Sequence, residues 1–191
     1  MARLKSLLAG LFIGMSGLLY TLCPNKTLAP FLFPVGLISI IVLNLDLYTG
    51  KIAYINLNIK EILYLLRMLF YNVVGASLVG IIANKLYSID ILDLVSNKIY
   101  QPWYSTLLKS IFCGICIYLA VELYKSTQNI MTIILPVATF IICGFEHCIA
   151  NTFYFVLNFS LSWSMIIQLL ISIVGNSIGS IVIHRLIIKL K

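Results

Sequence analysis

The chain has 191 residues, 61% of them hydrophobic and 10% charged, with a formal net charge of +7 and a mean hydropathy of +1.06. So apolar a composition excludes a soluble domain of this size and describes an integral membrane protein. The positive charge does not point to nucleic acid, because its distribution along the chain follows membrane topology.

About 20 residues are needed to cross the hydrocarbon layer. On that measure the chain reads as an all-α membrane protein with six transmembrane helices, at 7–22, 30–46, 65–84, 104–124, 130–157 and 162–183. The first follows the basic start Met1-Ala-Arg-Leu-Lys5. It resembles a secretory leader, but no small-residue cleavage site follows, so it reads as a span. The second stops at Asp46-Leu47-Tyr48-Thr49-Gly50-Lys51, where a glycine and two charges interrupt the helix before Ile52 to Ile59 continue it. Lys60 to Arg67 reads as a short helix lying at the interface on a leucine face. Ser88 to Trp103 reads as an outer loop without chemistry, closed by the interfacial aromatics Tyr100, Trp103 and Tyr104.

The fourth span holds Cys113-Gly-Ile-Cys116. That spacing suits redox or metal chemistry, yet inside lipid and without histidine partners it reads as packing. The fifth apolar run contains GFEHCIANTFYF, Gly144 to Phe155. Ionisable groups at membrane depth are costly, so Glu146 and His147 are the default functional site. Gly144, Ala150 and Asn151 suggest that the helix breaks there and that loose backbone lines a pathway. No second histidine stands at ligand spacing and HExxH is absent. A metal, a cofactor and an intramembrane enzyme are therefore not expected.

With the amino terminus inside, the inner side collects Arg3, Lys5, Lys51, Lys60, Arg67, Lys125, Arg185, Lys189 and Lys191. The outer side holds only Lys26, Lys85, Lys98 and Lys109. The positive-inside rule then puts both termini in the cytoplasm, with the plasma membrane as the expected location.

A shift of 100 residues places Phe12 on Phe112, Gly14 on Gly114, Tyr54 on Tyr154, Gly75 on Gly175 and Ser77 on Ser177. It also places Asp46 on Glu146. Each copy holds three spans, an odd number, so the second copy must run upside down relative to the first. The single transmembrane domain 1–191 thus divides into repeat one, about 1–87, and repeat two, about 101–191, in an inverted arrangement whose sites lie near the midplane on broken helices.

GFEHCIANTF and LDLYTGK, supported by LLAGLFIG (7–14) and WYSTLLKSIFCGICIYLAV (103–121), resemble the signatures of the formate/nitrite transporter family over essentially the whole chain. The resemblance implies six helices with the second and fifth broken by loops, an aquaporin-like protomer, and a homopentamer with one pore per protomer. It implies a central pore histidine at His147 facing a loop threonine at Thr49, with Asn151 and Glu146 matching the family's asparagine and glutamate. Its hydrophobic constrictions fall on Phe33, Leu37, Leu47, Tyr48 and Phe140, where the family has phenylalanine in place of Tyr48. A family lysine seven residues before Pro136 falls on Asn129, and Lys125, about one helical turn away, is the possible vestibule cation in its stead.

The expected function is a channel for small monovalent anions or their conjugate weak acids, of the formate, nitrite and hydrosulfide class, with proton linkage through His147. A bare anion pays a large desolvation cost at a ring of phenylalanines and leucines, and a neutral acid pays much less. The alternatives are a channel for small neutral solutes and a vitamin-binding membrane subunit of an importer.

Overall fold

The computed structural model describes residues 1–56 and 58–190. Leu57, and Lys191 among the expected inner cations, lie outside the described residues. Among the described residues, four helices are long and apolar enough to cross a membrane: α1 (Ala2–Leu22), α5 (Ile59–Leu86), α7 (Trp103–Thr127) and α10 (Trp163–Leu190). Between them run shorter pieces. The first set is α2 (Ala29–Leu32), α3 (Pro34–Val42) and α4 (Tyr48–Lys51), the last followed by a 3-10 turn at Ile52–Tyr54. The second is α6 (Leu92–Tyr100), α8 (Met131–Ile142) and α9 (Cys148–Leu157). Helix α1 lies along α5 and α7 along α10, while α9 crosses onto α5 and α8 and α4 onto α7.

Both interruptions use the same local chemistry. Helix α3 ends with Asn44 at φ 50° and with Leu45 N–H donating to Ile40 O at 2.8 Å. Helix α8 ends with Gly144 at φ 64° and Phe145 N–H donating to Phe140 O at 2.9 Å. A left-handed residue followed by a bond spanning five residues is the glycine-type helix stop, and asparagine is the non-glycine side chain that tolerates it best. The break in the second span therefore starts at Leu43, ahead of the expected Asp46–Lys51. Gly50 sits inside α4 and interrupts nothing. The continuation to Ile59 is likewise shorter than expected, a single 3-10 turn.

Each break leaves backbone groups unpaired at a depth where water is scarce, and one buried asparagine answers each. Asn72 on α5 accepts from Tyr48 N–H (2.8 Å) and donates to Ser6 O (2.6 Å) and Asp46 O (2.9 Å). Asn176 on α10 accepts from Cys148 N–H (3.0 Å) and donates to Ser110 O and Glu146 O (2.8 Å each). The two sets correspond residue by residue, but with two offsets. The loop residues repeat at 100, as Tyr48 and Cys148 or Asp46 and Glu146 do, whereas the long helices repeat at 104, as Ser6 and Ser110 or Asn72 and Asn176 do. The uniform shift of 100 is thus corrected in the long helices. Gly114 corresponds to Gly10 and not to Gly14, for a Cβ at Gly10 or Gly114 would collide with the carbonyl oxygen of Asn72 or Asn176.

Two further expectations change. Lys60 to Arg67 is not a separate interfacial helix but the first turns of α5, because Asn58 accepts from Glu61 N–H (3.0 Å) and starts the helix there. Ser88 to Trp103 is not a plain loop, since it folds into α6 with Val95 and Ile99 buried against the body.

Replacing Asn72 or Asn176 by alanine strands one buried N–H and two carbonyls. Each variant is expected to lose about 1–3 kcal/mol of stability. Thermal unfolding of the detergent-solubilised protein checks this, an exposed Asn97→Ala control leaving the midpoint in place.

Candidate functional site

The two breaks bring Thr49 and His147 together, with Thr49 Oγ1 and His147 Nε2 2.9 Å apart and both side chains buried. His147 precedes α9, and its Nδ1 accepts the Ala150 N–H at 3.2 Å, as a side chain capping a helix start does. That bond assigns the tautomer: Nδ1 holds a lone pair, so the neutral ring carries its proton on Nε2 and donates to Thr49. The Phe140 ring lies nearly parallel to the imidazole at 5.9 Å, and Phe33 meets Phe140 edge to face at 5.6 Å.

Asp46 and Glu146 stand just before the half-helices, and each is met by the residue five positions on. Lys51 Nζ lies 3.1 Å from Asp46, and Asn151 donates to Glu146 at 2.8 Å. Glu146 has two more donors from outside its own segment, Lys98 Nζ at 2.7 Å and Gln101 Nε2 at 2.9 Å. Gln101 in turn accepts from Lys109 Nζ at 2.9 Å. The deeply buried carboxylate is thus fully hydrogen-bonded and charge-paired, the condition for keeping an ion there. Lys98 and Gln101 are the site residues that sequence reasoning missed. Their signal was present, a lone lysine and a glutamine in a stretch assigned to solvent, but nothing in the sequence said that α6 folds back over the break.

Two cavities lie near the site: one is lined by the chain neighbours of Thr49, Leu47 and Gly50, and the other by His147 itself. The larger, about 460 Å³, is lined by Leu37, Leu47, Gly50, Lys51, Tyr54 and Lys125 among others. The smaller, about 90 Å³, is lined by Lys98, Phe140, His147, Asn151 and Tyr154 together with Tyr20 and the break at Gly144. Among the residues marked as constrictions, Leu37 and Leu47 face the larger cavity and Phe140, backed by Phe33, the smaller. Tyr48 lines neither. It is buried, and its hydroxyl reaches Ser177 on α10 at 2.9 Å. Lys125 does line the larger cavity, half-exposed, over the Tyr54 ring at 3.8 Å and 3.6 Å from Glu122. Asn129 caps the start of the next helix, its Oδ1 accepting from Met131 N–H at 2.9 Å, and lines neither cavity.

A family model described as formate/nitrite transporter matches residues 2–189. The chain belongs to the formate/nitrite transporter family. Among its relatives, a protein named formate channel FocA from Haemophilus influenzae is 24% identical over 149 residues, covering 68% of this chain and 52% of the relative. The chain thus matches about half the length of that relative. Two solved structures share the fold. One described as an FNT family ion channel has a TM-score of 0.86 at 20% identity, over 99% of this chain and 89% of the other. The second, described as a pentameric formate channel with formate bound, has a TM-score of 0.83 at 21% identity, over 100% and 97%. Membership of this transporter family, with its long apolar helices, makes the chain a multi-pass membrane protein, and the relatives are channels and transporters, not enzymes. It leaves no place for the vitamin-binding alternative.

Lys98→Ala leaves Glu146 buried without its cation and is expected to cost about 3–5 kcal/mol. Adding Glu146→Gln removes the orphaned charge while keeping an acceptor for Asn151. The double variant should therefore unfold at a higher temperature than Lys98→Ala alone, and a purely additive loss would contradict the pairing.

Proposed function

We propose that this chain is one protomer of a homopentameric plasma-membrane channel for small monovalent anions or their conjugate weak acids, the formate, nitrite and hydrosulfide class. Each protomer crosses the membrane six times as two inverted three-helix halves, with both termini cytoplasmic. The duplicated asparagine brackets support the repeat, and the formate bound in the pentameric structural neighbour supports the substrate class.

The observation that carries the reading is the buried Thr49–His147 hydrogen bond, with a cavity lined by His147 on one side and a larger cavity reaching Leu47 and Gly50 beside Thr49. An anion collects in the larger cavity, which Lys51 and Lys125 line and make favourable to negative charge. Leu37 and Leu47 on one side, and Phe33 and Phe140 on the other, make the passage dry enough to favour the neutral acid over the anion. His147 Nε2–H, which donates to Thr49, turns to donate to the substrate oxygen as it passes. Proton linkage through the ring needs a second proton at Nδ1, so the Ala150 N–H bond must open first. The flat face of Phe140 beside the imidazole then favours the cation. Asn151, held between Glu146 and Ser172 (3.4 Å), keeps α9 in place and lines the smaller cavity.

A channel for neutral solutes is the second reading. It is favoured by the state of the cation at the smaller cavity, where Lys98 is already neutralised by Glu146. Flux into proteoliposomes separates the two: if formate, nitrite and hydrosulfide cross no faster than in empty vesicles while a neutral solute does, the anion reading is lost.

His147→Phe is expected to abolish proton-coupled anion flux while leaving the oligomer intact by size-exclusion chromatography; wild-type flux would remove the histidine from the mechanism. Lys125→Ala is expected to weaken uptake severalfold at low anion concentration and little near saturation. An unchanged concentration dependence would exclude Lys125 as the vestibule cation.

A further inference from the structure

Helix α4 has four residues, too few to hold itself, and every polar side chain along it and its flanks is tied to something else. Asp46 and Lys51 pair with each other, Thr49 bonds His147, and Tyr54 donates to Glu122 on α7 at 2.7 Å. Tyr48 is tied at both ends, its backbone N–H by Asn72 of α5 and its hydroxyl by Ser177 of α10. The Ser177 hydroxyl donates to Ile173 O at 2.6 Å, so its own proton is committed and Tyr48 O–H is the donor to Ser177. The corresponding residue on the other half-helix is Cys148, whose side chain has no comparable hydroxyl. It needs none, because α9 is ten residues long and almost entirely buried. The tether thus stands where the half-helix is shortest, at a position where the family pattern has phenylalanine.

We infer that the Tyr48–Ser177 hydrogen bond is a latch that holds α4 against α10 and thereby fixes the width of the Leu37–Leu47 constriction, making Tyr48 a positioning residue for size selection. The inference rests on the channel reading for its consequence, though not for its geometry. Tyr48→Phe keeps the ring and leaves Ser177 bonded to Ile173, so the latch opens without stranding a buried donor. Ser177→Ala opens it from the other side, and Ser177→Thr keeps an acceptor.

Two measurements test this. Amide hydrogen exchange over residues 45–54 should be about fivefold faster in Tyr48→Phe and in Ser177→Ala than in the wild type, as expected for losing one hydrogen bond, and unchanged in Ser177→Thr. The double variant should match Tyr48→Phe. Equal exchange in wild type and Tyr48→Phe overturns the latch. In proteoliposomes the acetate-to-formate flux ratio should rise severalfold in both latch-open variants and stay at the wild-type value in Ser177→Thr. A measurable wild-type formate flux with an unchanged ratio overturns the role in selection. Absence of formate flux from the wild type defeats the anion-channel reading, and with it the role in selection, while the exchange result still decides the latch.

Discussion

A helix that stops inside the body of a protein strands N–H and carbonyl groups that must find partners there, and this constraint organises the molecule. Asn72 and Asn176 each meet it with three hydrogen bonds, joining the loop, the start of the half-helix and a neighbouring long helix. Because the bonds reach Ser6 on α1 and Ser110 on α7, the same two side chains fix the long helix pairs against each other. The glycines at 10 and 114 follow from this, since the asparagine backbone passes too close to admit a Cβ. Among the described residues no buried side-chain nitrogen or oxygen lacks a partner.

The two halves use that common frame for different ends. In the first, the half-helix is a four-residue stub, its acid is paired locally by Lys51, and a cavity lined by two lysines lies beside it. In the second, α9 runs ten residues, its acid takes a lysine from α6, and the adjoining cavity is a fifth of the volume. Two breaks with like hydrogen-bond sets but unequal electrostatics let Thr49 and His147 meet as unlike partners. One offers an acceptor and the other a donor.

Much of this was legible in the chain. The apolar composition fixed the class, the Glu146–His147 pair stood out as ionisable groups that the structure buries, and the match of Asp46 with Glu146 picked out two acids that each precede a short helix after a break. The likeness of Asn72 to Asn176 and of Ser6 to Ser110 is hidden from a shift of 100, because these pairs stand 104 residues apart and an ungapped shift follows one offset only. The first break was placed late because Gly50 looked like the interruption, while Asn44, a residue that also tolerates a positive φ, made it.

The sequence by itself determined that the protein lives in a membrane and that its second and fifth apolar runs break. These are matters of residue type and spacing along the chain, where hydropathy and local backbone preference act. Only the tertiary structure decided which partners the buried polar groups find: Lys98 for Glu146, Ser177 for Tyr48, and Ala150 N–H for the histidine Nδ1. Two of these three contacts lie between segments far apart in sequence and are chosen by packing, while the third is a local cap that depends on where α9 starts. The charge and tautomer of the site follow from them.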